Sequence, residues 1–576
     1  MTSRARAIAT WLLVVPLLLA GLSAQWLGRR AWDAFTRYRP PFPLSTPEAA
    51  GSERLARQVV VVLVDGLAYH ASRRMPFLNE LRAQGADLEC RAGLPSLSLP
   101  GRSVMLSGAW QEIHGQTTNF HPRPLPVEHV FQTARRRGRS TALAAGAAPH
   151  LLFEPHVDER IVYPRLEPEE SQSLPRLRAE LLWMGEATRS LQREKRPDLF
   201  VLDYTIADEA GHRWGAASEQ YGEAAQAVDA EIRKLAAEVD LRDSVLIVTS
   251  DHGHTPRGGH GGPEEDVLRI PLVLAGGPVR KGVRGECQQV DLAPTLAALV
   301  GAPLPASNQG QPLAQALHLT AAQQASLRQN LWQQRRVFVD RYVAWVSGRA
   351  GEPAAGAPPA AEGDLEDLDQ AAAQARGSRM ATEARGRALV LGLALALLVL
   401  GPWTLRASGL VTPAGLALAA LGALGAAVAY FGLLRAVGLD YSFSTVNRDE
   451  ALGPFFRKNM ILAVGVCATA VAVAAAWARR TAAVGRGDLA RLALLISGGF
   501  AGVLALKMAI VYWRQGIFLH WQMPDLFWGF GFYLDTLALM AVCLAAPLMP
   551  LLAWAAARLP WWKAPAPPVP EPQAAR

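Results

Sequence analysis

Two observations predict an α/β sandwich with a mostly parallel central sheet, joined to a C-terminal α-helical transmembrane region. Residues 55–345 alternate short, continuously apolar runs with helix-like amphipathic segments. Residues 7–27 and 388–556 instead carry long Leu-, Ala- and Val-rich runs with few charges. Averages hide this division: half of the 576 residues are hydrophobic and 19% are charged, which excludes bulk disorder. Lys+Arg number 58 and Asp+Glu 50, a net charge of +8 that does not call for a nucleic-acid polymer as partner. Four cysteines exclude a disulfide-stapled scaffold.

The first element is the apolar run 7–27, preceded by Arg4 and Arg6 and followed by Arg29 and Arg30. Its length suits a hydrocarbon core of about 30 Å. Residues 1–30 therefore read as an uncleaved anchor. A signal peptide is the competing reading, since Gly21 and Ser23 would permit cleavage. Residues 31–348 form the expected extracytoplasmic globular domain. Within it VVVVLV (59–64), DLFVLD (198–203), SVLIVTS (244–250) and PLVLA (271–275) read as strands. Their unbroken apolar character suits a parallel sheet covered on both faces. Residues 349–387, rich in Ala, Gly, Pro and charge, read as a flexible linker.

Spans are expected near 388–404, 411–432, 460–478, 492–511 and 534–556, within a membrane domain 388–557. The tail 558–576 is Pro-rich and reads as disordered. Arg479, Arg480, Arg486 and Arg491 share one short loop, which favours the cytoplasm for it and the other side for the globular domain. Arg385 and Arg387 vote the other way. Lys507 and Asp535 fall in or near spans and are expected to reach the outer edge. Cys90 and Cys287 lie in the exported domain, where spacing leaves their pairing open.

Ligands of open α/β sheets bind beyond the carboxyl ends of the strands. Here those ends are polar: Asp65-Gly66 after the first strand, Asp251-His252-Gly253 after the third, and Asp208 with His212 after the second. His260 follows in a glycine-rich turn. Taken singly, each has a structural explanation as a cap, a turn or a surface histidine. Together, three carboxylates and three imidazoles can hold two divalent metal ions, zinc fitting the mixed O/N donors best and manganese remaining compatible. Ser98, ahead of Pro100 and a helical segment, is the nucleophile candidate, with Ser96 as rival and N-capping as the structural alternative. Asn119 could donate to a phosphoryl oxygen or hold a turn.

As a set these motifs resemble the alkaline phosphatase superfamily, and within it the type I phosphodiesterase and nucleotide pyrophosphatase branch. The matching residues are Asp65-Gly66, Ser98-Leu99-Pro100, Ser107-Gly108, His114-Gly115 through Asn119, Asp208 to His212, Ser250 to Gly253 and His260-Gly261, with VDLAPTLAALVGAPLP (290–305) as a closing element. The resemblance implies an alkaline-phosphatase-like sandwich. It implies one metal on Asp208, His212 and His260, and a second on Asp65, Asp251, His252 and the Ser98 oxygen. It also implies a covalent phosphoryl-Ser98 with Asn119 assisting, and leaves His114 structural. The stretch DHGHTPRGGHGGPEED is also similar to glycosylphosphatidylinositol ethanolamine phosphate transferases, which share the anchor–domain–spans layout. That likeness implies a lipid-linked or surface-glycan substrate, while the resemblance to the nucleotide pyrophosphatase branch implies a nucleotide phosphodiester as the alternative.

Two other readings compete. Ser98-Leu99-Pro100-Gly101-Arg102 also fits the sulfatase core motif, but sulfatases bind one calcium through oxygens, which three histidines do not suit. Apart from the sulfatase motif, Arg102 is expected to contact an anionic substrate or cap a neighbouring loop. A non-catalytic membrane binding scaffold is the third reading, and retention of every candidate ligand speaks against it.

Overall fold

Eight strands form one sheet: β1 (Val59–Val64), β2 (Ala86–Arg91), β3 (Thr141–Ala145), β4 (Glu159–Val162), β5 (Leu199–Tyr204), β6 (Val245–Thr249), β7 (Arg269–Gly276) and β8 (Val283–Gln288). The computed structural model describes residues 3–40, 51–164, 173–348, 365–446, 449–481, 484–485 and 488–558. The strand order is β4-β3-β5-β1-β6-β7-β2-β8. β1 lies parallel to both β5 and β6. β7 runs antiparallel to both of its neighbours, β6 and β2, so the sheet is mostly rather than wholly parallel.

Every residue of β1 is buried, which its VVVVLV sequence requires. The two-residue period sends Val59, Val61 and Leu63 to one core and Val60, Val62 and Val64 to the other. The first core is closed by Leu99, Met105 and Leu106, by Val130 and Phe131, and by Leu292 and Leu296. The second is closed by Leu78, Leu177, Tyr221 and Ile232. Burial of each such side chain stabilises by about 1.5–3 kcal/mol. Cys90 and Cys287 occupy the same register position on the parallel neighbours β2 and β8, as free thiols.

Six helices among the described residues are long and apolar enough to cross a membrane: Thr10–Thr36, Leu365–Ala407, Pro413–Ala436, Leu452–Arg480, Leu489–Gln515 and Leu526–Ala556. The N-terminal helix joins the C-terminal ones in one core, where Ala24, Ala31 and Phe35 cluster with Phe530, Leu534 and Phe500.

Two expectations change. The stretch expected as a linker is helical from Leu365, as the start of one helix running to Ala407. Residues 349–364 lie outside the described residues, as does the expected disordered tail from 559. Ala, Gln and Arg favour helix. Glu383 pairs with Arg379 and Arg387 at four-residue spacing, and Asp369 accepts from Arg335 Nη1 at 2.6 Å. Lys507 and Asp535 do not reach separately for the outer edge. Lys507 Nζ lies 2.8 Å from Asp535 Oδ2, and Asp535 is fully buried. An intramembrane carboxylate is stabilised far more by a fixed cation than by an unpaired position in the bundle.

Candidate metal centre

Three neighbouring strands deliver the polar groups. Register sets Leu63 beside both Asp203 and Thr249, so the ends of β1, β5 and β6 align. The same two-residue period carries Asp65, Asp203 and Asp251 to one face of the sheet, where the helix Ser98–Ser107 packs. Gly66 makes the turn after β1 at φ +70°, and a Cβ there would lie 2.8 Å from the Asp208 Cα. A Cβ at Gly101 would lie 3.0 Å from that of Asp251, so the missing side chain lets the helix approach the strand end closely.

The expected ligands gather into two groups whose donor atoms lie within 4.8 Å of one another: Asp208, His212, His254 and His260, and Asp65, Asp251 and His252. In the first group His254 Nε2 is 2.7 Å and His260 Nε2 is 3.7 Å from Asp208 Oδ1. His212 Nε2 is 3.4 Å from Asp208 Oδ2 and 3.2 Å from His260 Nε2. Three imidazole nitrogens thus gather beside one carboxylate. In the second group His252 Nε2 is 3.5 Å from Asp65 Oδ1 and 3.7 Å from Asp251 Oδ2. The rings of His252 and His260 stack at 3.7 Å, which joins the groups.

Backbone carbonyls orient the rings. His260 Nδ1 lies 3.0 Å from the Ser96 carbonyl and His252 Nδ1 lies 3.2 Å from that of Gly253. Donation from Nδ1 leaves each Nε2 lone pair facing its cluster, the arrangement a metal-ligating histidine needs. Burial keeps these rings neutral: His252 is pushed down to about 4, and His254 and His260 are also lowered.

Ser98 is the first residue of its helix, after Leu97 at the N-cap, and its side chain makes no cap. Its half-buried Oγ lies 3.2 Å from His252 Nε2 instead. Ser96 is buried and fully engaged, donating to the Gly262 carbonyl at 2.9 Å and accepting from Gly261 N–H at 3.1 Å. Asn119 Oδ1 accepts the Leu99 N–H at 2.9 Å, beside Ser98. His114 is buried, accepts from Gln116 N–H, and is held down at about 3 by burial and then Arg123.

Arg102 neither caps a loop nor faces outward. It is buried, with Nη2 2.5 Å from Asp65 Oδ2 and 2.6 Å from Asp203 Oδ2, and Nη1 2.7 Å from Asp251 Oδ2. Asp251 is pushed well above the usual carboxylate range by burial and then by the charge of Asp65, against the pull of Arg102. Burial likewise lifts Asp203 to about 7. One guanidinium therefore serves three crowded carboxylates. Asp65 Oδ1 and Asp203 Oδ1 remain buried without a hydrogen bond among the described residues. Unsatisfied buried oxygens beside neutral imidazole nitrogens fit a divalent ion, and the N₃O set of the first group is a zinc-type donor set.

Arg102, Asp203 and His254 extend the set of residues expected from sequence. Arg102 lies four residues after Ser98, on the same helical face, a spacing that could have placed it. Asp203 ends a strand like Asp65 but stands in no motif. His254 was visible as a further imidazole in DHGHTPRGGHGG.

Residues 59–262 match the family of type I phosphodiesterases / nucleotide pyrophosphatases, a range that contains all eight candidate residues. The chain is 24% identical over 275 residues to GPI ethanolamine phosphate transferase 1 of Candida glabrata, covering 42% of this chain and 30% of that one. It is 23% identical over 301 residues to the catalytic subunit of human GPI ethanolamine phosphate transferase 2, covering 47% and 29%. The chain thus spans about three-tenths of the length of these curated relatives. Among solved structures, murine ectonucleotide pyrophosphatase / phosphodiesterase 5 aligns at 16% identity, covering 43% of this chain and 96% of that one, with a TM-score of 0.36. The motif resemblance to this superfamily and the similarity to the transferases are therefore both met.

Proposed function

We propose that the chain is a membrane-bound, metal-dependent enzyme that transfers or hydrolyses a phosphodiester-linked group, through a covalent intermediate on Ser98. The carrying observation is the position of the Ser98 oxygen. It stands half-buried at a helix start, 3.2 Å from Nε2 of His252, a member of the second ligand group. Asp208, His212 and His260, with His254 adjoining, would hold one ion. Asp65, Asp251 and His252 would hold the other, next to Ser98. Bound divalent ions would supply Lewis-acid charge that favours the serine alkoxide and offsets phosphoryl charge.

The chain's own groups do the rest. Ser98 Oγ forms the new bond to phosphorus as the bond to the leaving alcohol breaks, and the serine proton ends on that alcohol or in water. The helix start turns its positive dipole end toward the phosphoryl group. Asn119, whose carbonyl is held by Leu99 N–H, has its amide N–H₂ left to donate to a phosphoryl oxygen. A second alcohol then takes the group from Ser98, or water hydrolyses it. The named activity of the relatives supports an alcohol acceptor, a phosphoethanolamine-type group and a lipid-linked substrate. The arginine-rich loop 479–491 supports an extracytoplasmic catalytic domain.

A sulfatase reading has Arg102 in its favour, but two ligand groups that hold three histidines and one histidine oppose it. The test assays purified full-length protein, with its metal content, on bis-p-nitrophenyl phosphate and p-nitrophenyl sulfate. Two zinc or manganese ions per chain with diester cleavage support the proposal. Calcium with sulfate cleavage, or no metal and no turnover, contradicts it.

A further inference from the structure

The loop carrying His260 is gripped from two sides, and one of the sides belongs to the membrane bundle. On the inner side Ser96 pairs with Gly261 and holds the His260 ring through its carbonyl. On the outer side lies the connection between the helices Pro413–Ala436 and Leu452–Arg480. Ser444 Oγ accepts the Gly262 N–H at 2.9 Å and donates to Glu264 Oε2 at 2.6 Å. Ser442 Oγ donates to the other oxygen, Glu264 Oε1, and accepts the Ser444 N–H at 3.2 Å. Both carboxylate oxygens of Glu264 are thus taken by one tripeptide.

Phe443 between these serines is buried and lies 5.0 Å from the ring of Phe530 and 5.9 Å from that of Phe35, both in membrane helices. Leu97, the residue before Ser98, belongs to the same apolar cluster. Tyr441 fixes the other end. Its hydroxyl accepts from Lys507 Nζ at 2.5 Å and donates to Asp535 Oδ1 at 3.0 Å. A polar anchor inside the bundle is therefore joined by four residues to the loop of a candidate ligand.

From this geometry we infer that Ser442 and Ser444 are positioning residues for the ion held by Asp208, His212 and His260, so that the membrane bundle completes that half of the centre. The inference rests on the proposed role of His260 as a ligand. Loss of groups that orient a ligand commonly costs about 10–100-fold in metal affinity.

The experiment titrates zinc into metal-free full-length protein in detergent, and follows the visible spectrum on titration with cobalt(II). Ser442→Ala/Ser444→Ala should weaken one of two binding events about 10–100-fold, leave the other unchanged, and alter the cobalt spectrum of the weakened site. Ser442→Thr/Ser444→Thr, which keeps the hydroxyls, should restore both affinity and spectrum. If the double alanine variant does not fold, Glu264→Gln carries the test, with the same event weakened. Wild-type affinity for both events in the folded alanine variant, or in Glu264→Gln, overturns the inference while leaving the function proposal standing. His260→Asn is the control: if it removes neither event, or if the wild type binds no metal, the ligand role of His260 falls and the inference falls with it.

Discussion

Arg102 shows how far one side chain can decide the character of a site. It makes four hydrogen bonds to Asp65, Asp203 and Asp251 with almost no exposure. Truncation would leave three buried carboxylates without their counter-charge. Arg102→Met should therefore destabilise metal-free protein by about 3–5 kcal/mol, the cost of breaking a buried ion pair, rather than act as a mild change to substrate contact. Denaturant titration with and without zinc checks this, and metal should recover part of the loss, because an added cation serves the same carboxylates. A variant as stable as wild type would remove Arg102 from that role. The sequence exposed Asp65, Ser98, Asp251 and His260 because their spacings form motifs. The four-residue spacing from Ser98 marks Arg102's face of the helix, but the clamp was concealed because it depends on three strand ends, far apart in sequence, meeting that face.

At the scale of the element, period and composition carried most of the information. The run VVVVLV could only be a strand buried on both faces, and β1 lies at the sheet's centre. Direction was not legible: the apolar run of β7 reads like its neighbours yet runs antiparallel, because chain direction depends on connections rather than on side chains. The helix at 365–387 was hidden by a composition shared with linkers, and its partners, such as Arg335 with Asp369, lie far away in sequence. Buried histidines at helix ends give a prediction here. His114 ends the turn Gln111–His114 and His129 precedes the helix Val130–Arg136; burial holds both at about 3. Folded, they stay neutral below pH 6.5, while unfolded they take up protons. The unfolded state then binds more protons, so stability is full above about 6.5 and falls as pH drops toward 4, by about 1.4 kcal/mol per pH unit for each group. Melting of the metal-free protein between pH 7 and 4.5 checks the sign, and His114→Gln should flatten the slope. A melting temperature that rises on acidification would contradict it.

Over the whole molecule, an α/β sandwich and a helical bundle meet at the rim of the candidate metal centre. Phe120, next to Asn119, lies 5.8 Å from Trp32 of the N-terminal helix, and Thr117 Oγ1 donates to the Phe35 carbonyl. The bundle's ion pair bears on this junction through Tyr441. Lys507→Met would leave Asp535 buried without its cation and should cost about 3–5 kcal/mol in detergent, whereas Lys507→Met/Asp535→Leu should cost less, since no lone charge remains. Equal loss in both variants would show that the pair contributes only packing. The proposed chemistry turns on the Ser98 oxygen. Its most direct measurement is rapid-quench mass spectrometry of the full-length, metal-loaded protein during turnover of a phosphodiester. A phosphoryl adduct on Ser98 should form and decay at the rate of turnover and be absent in Ser98→Ala. Turnover with Ser98 unmodified, or with the adduct on Ser96, would contradict it.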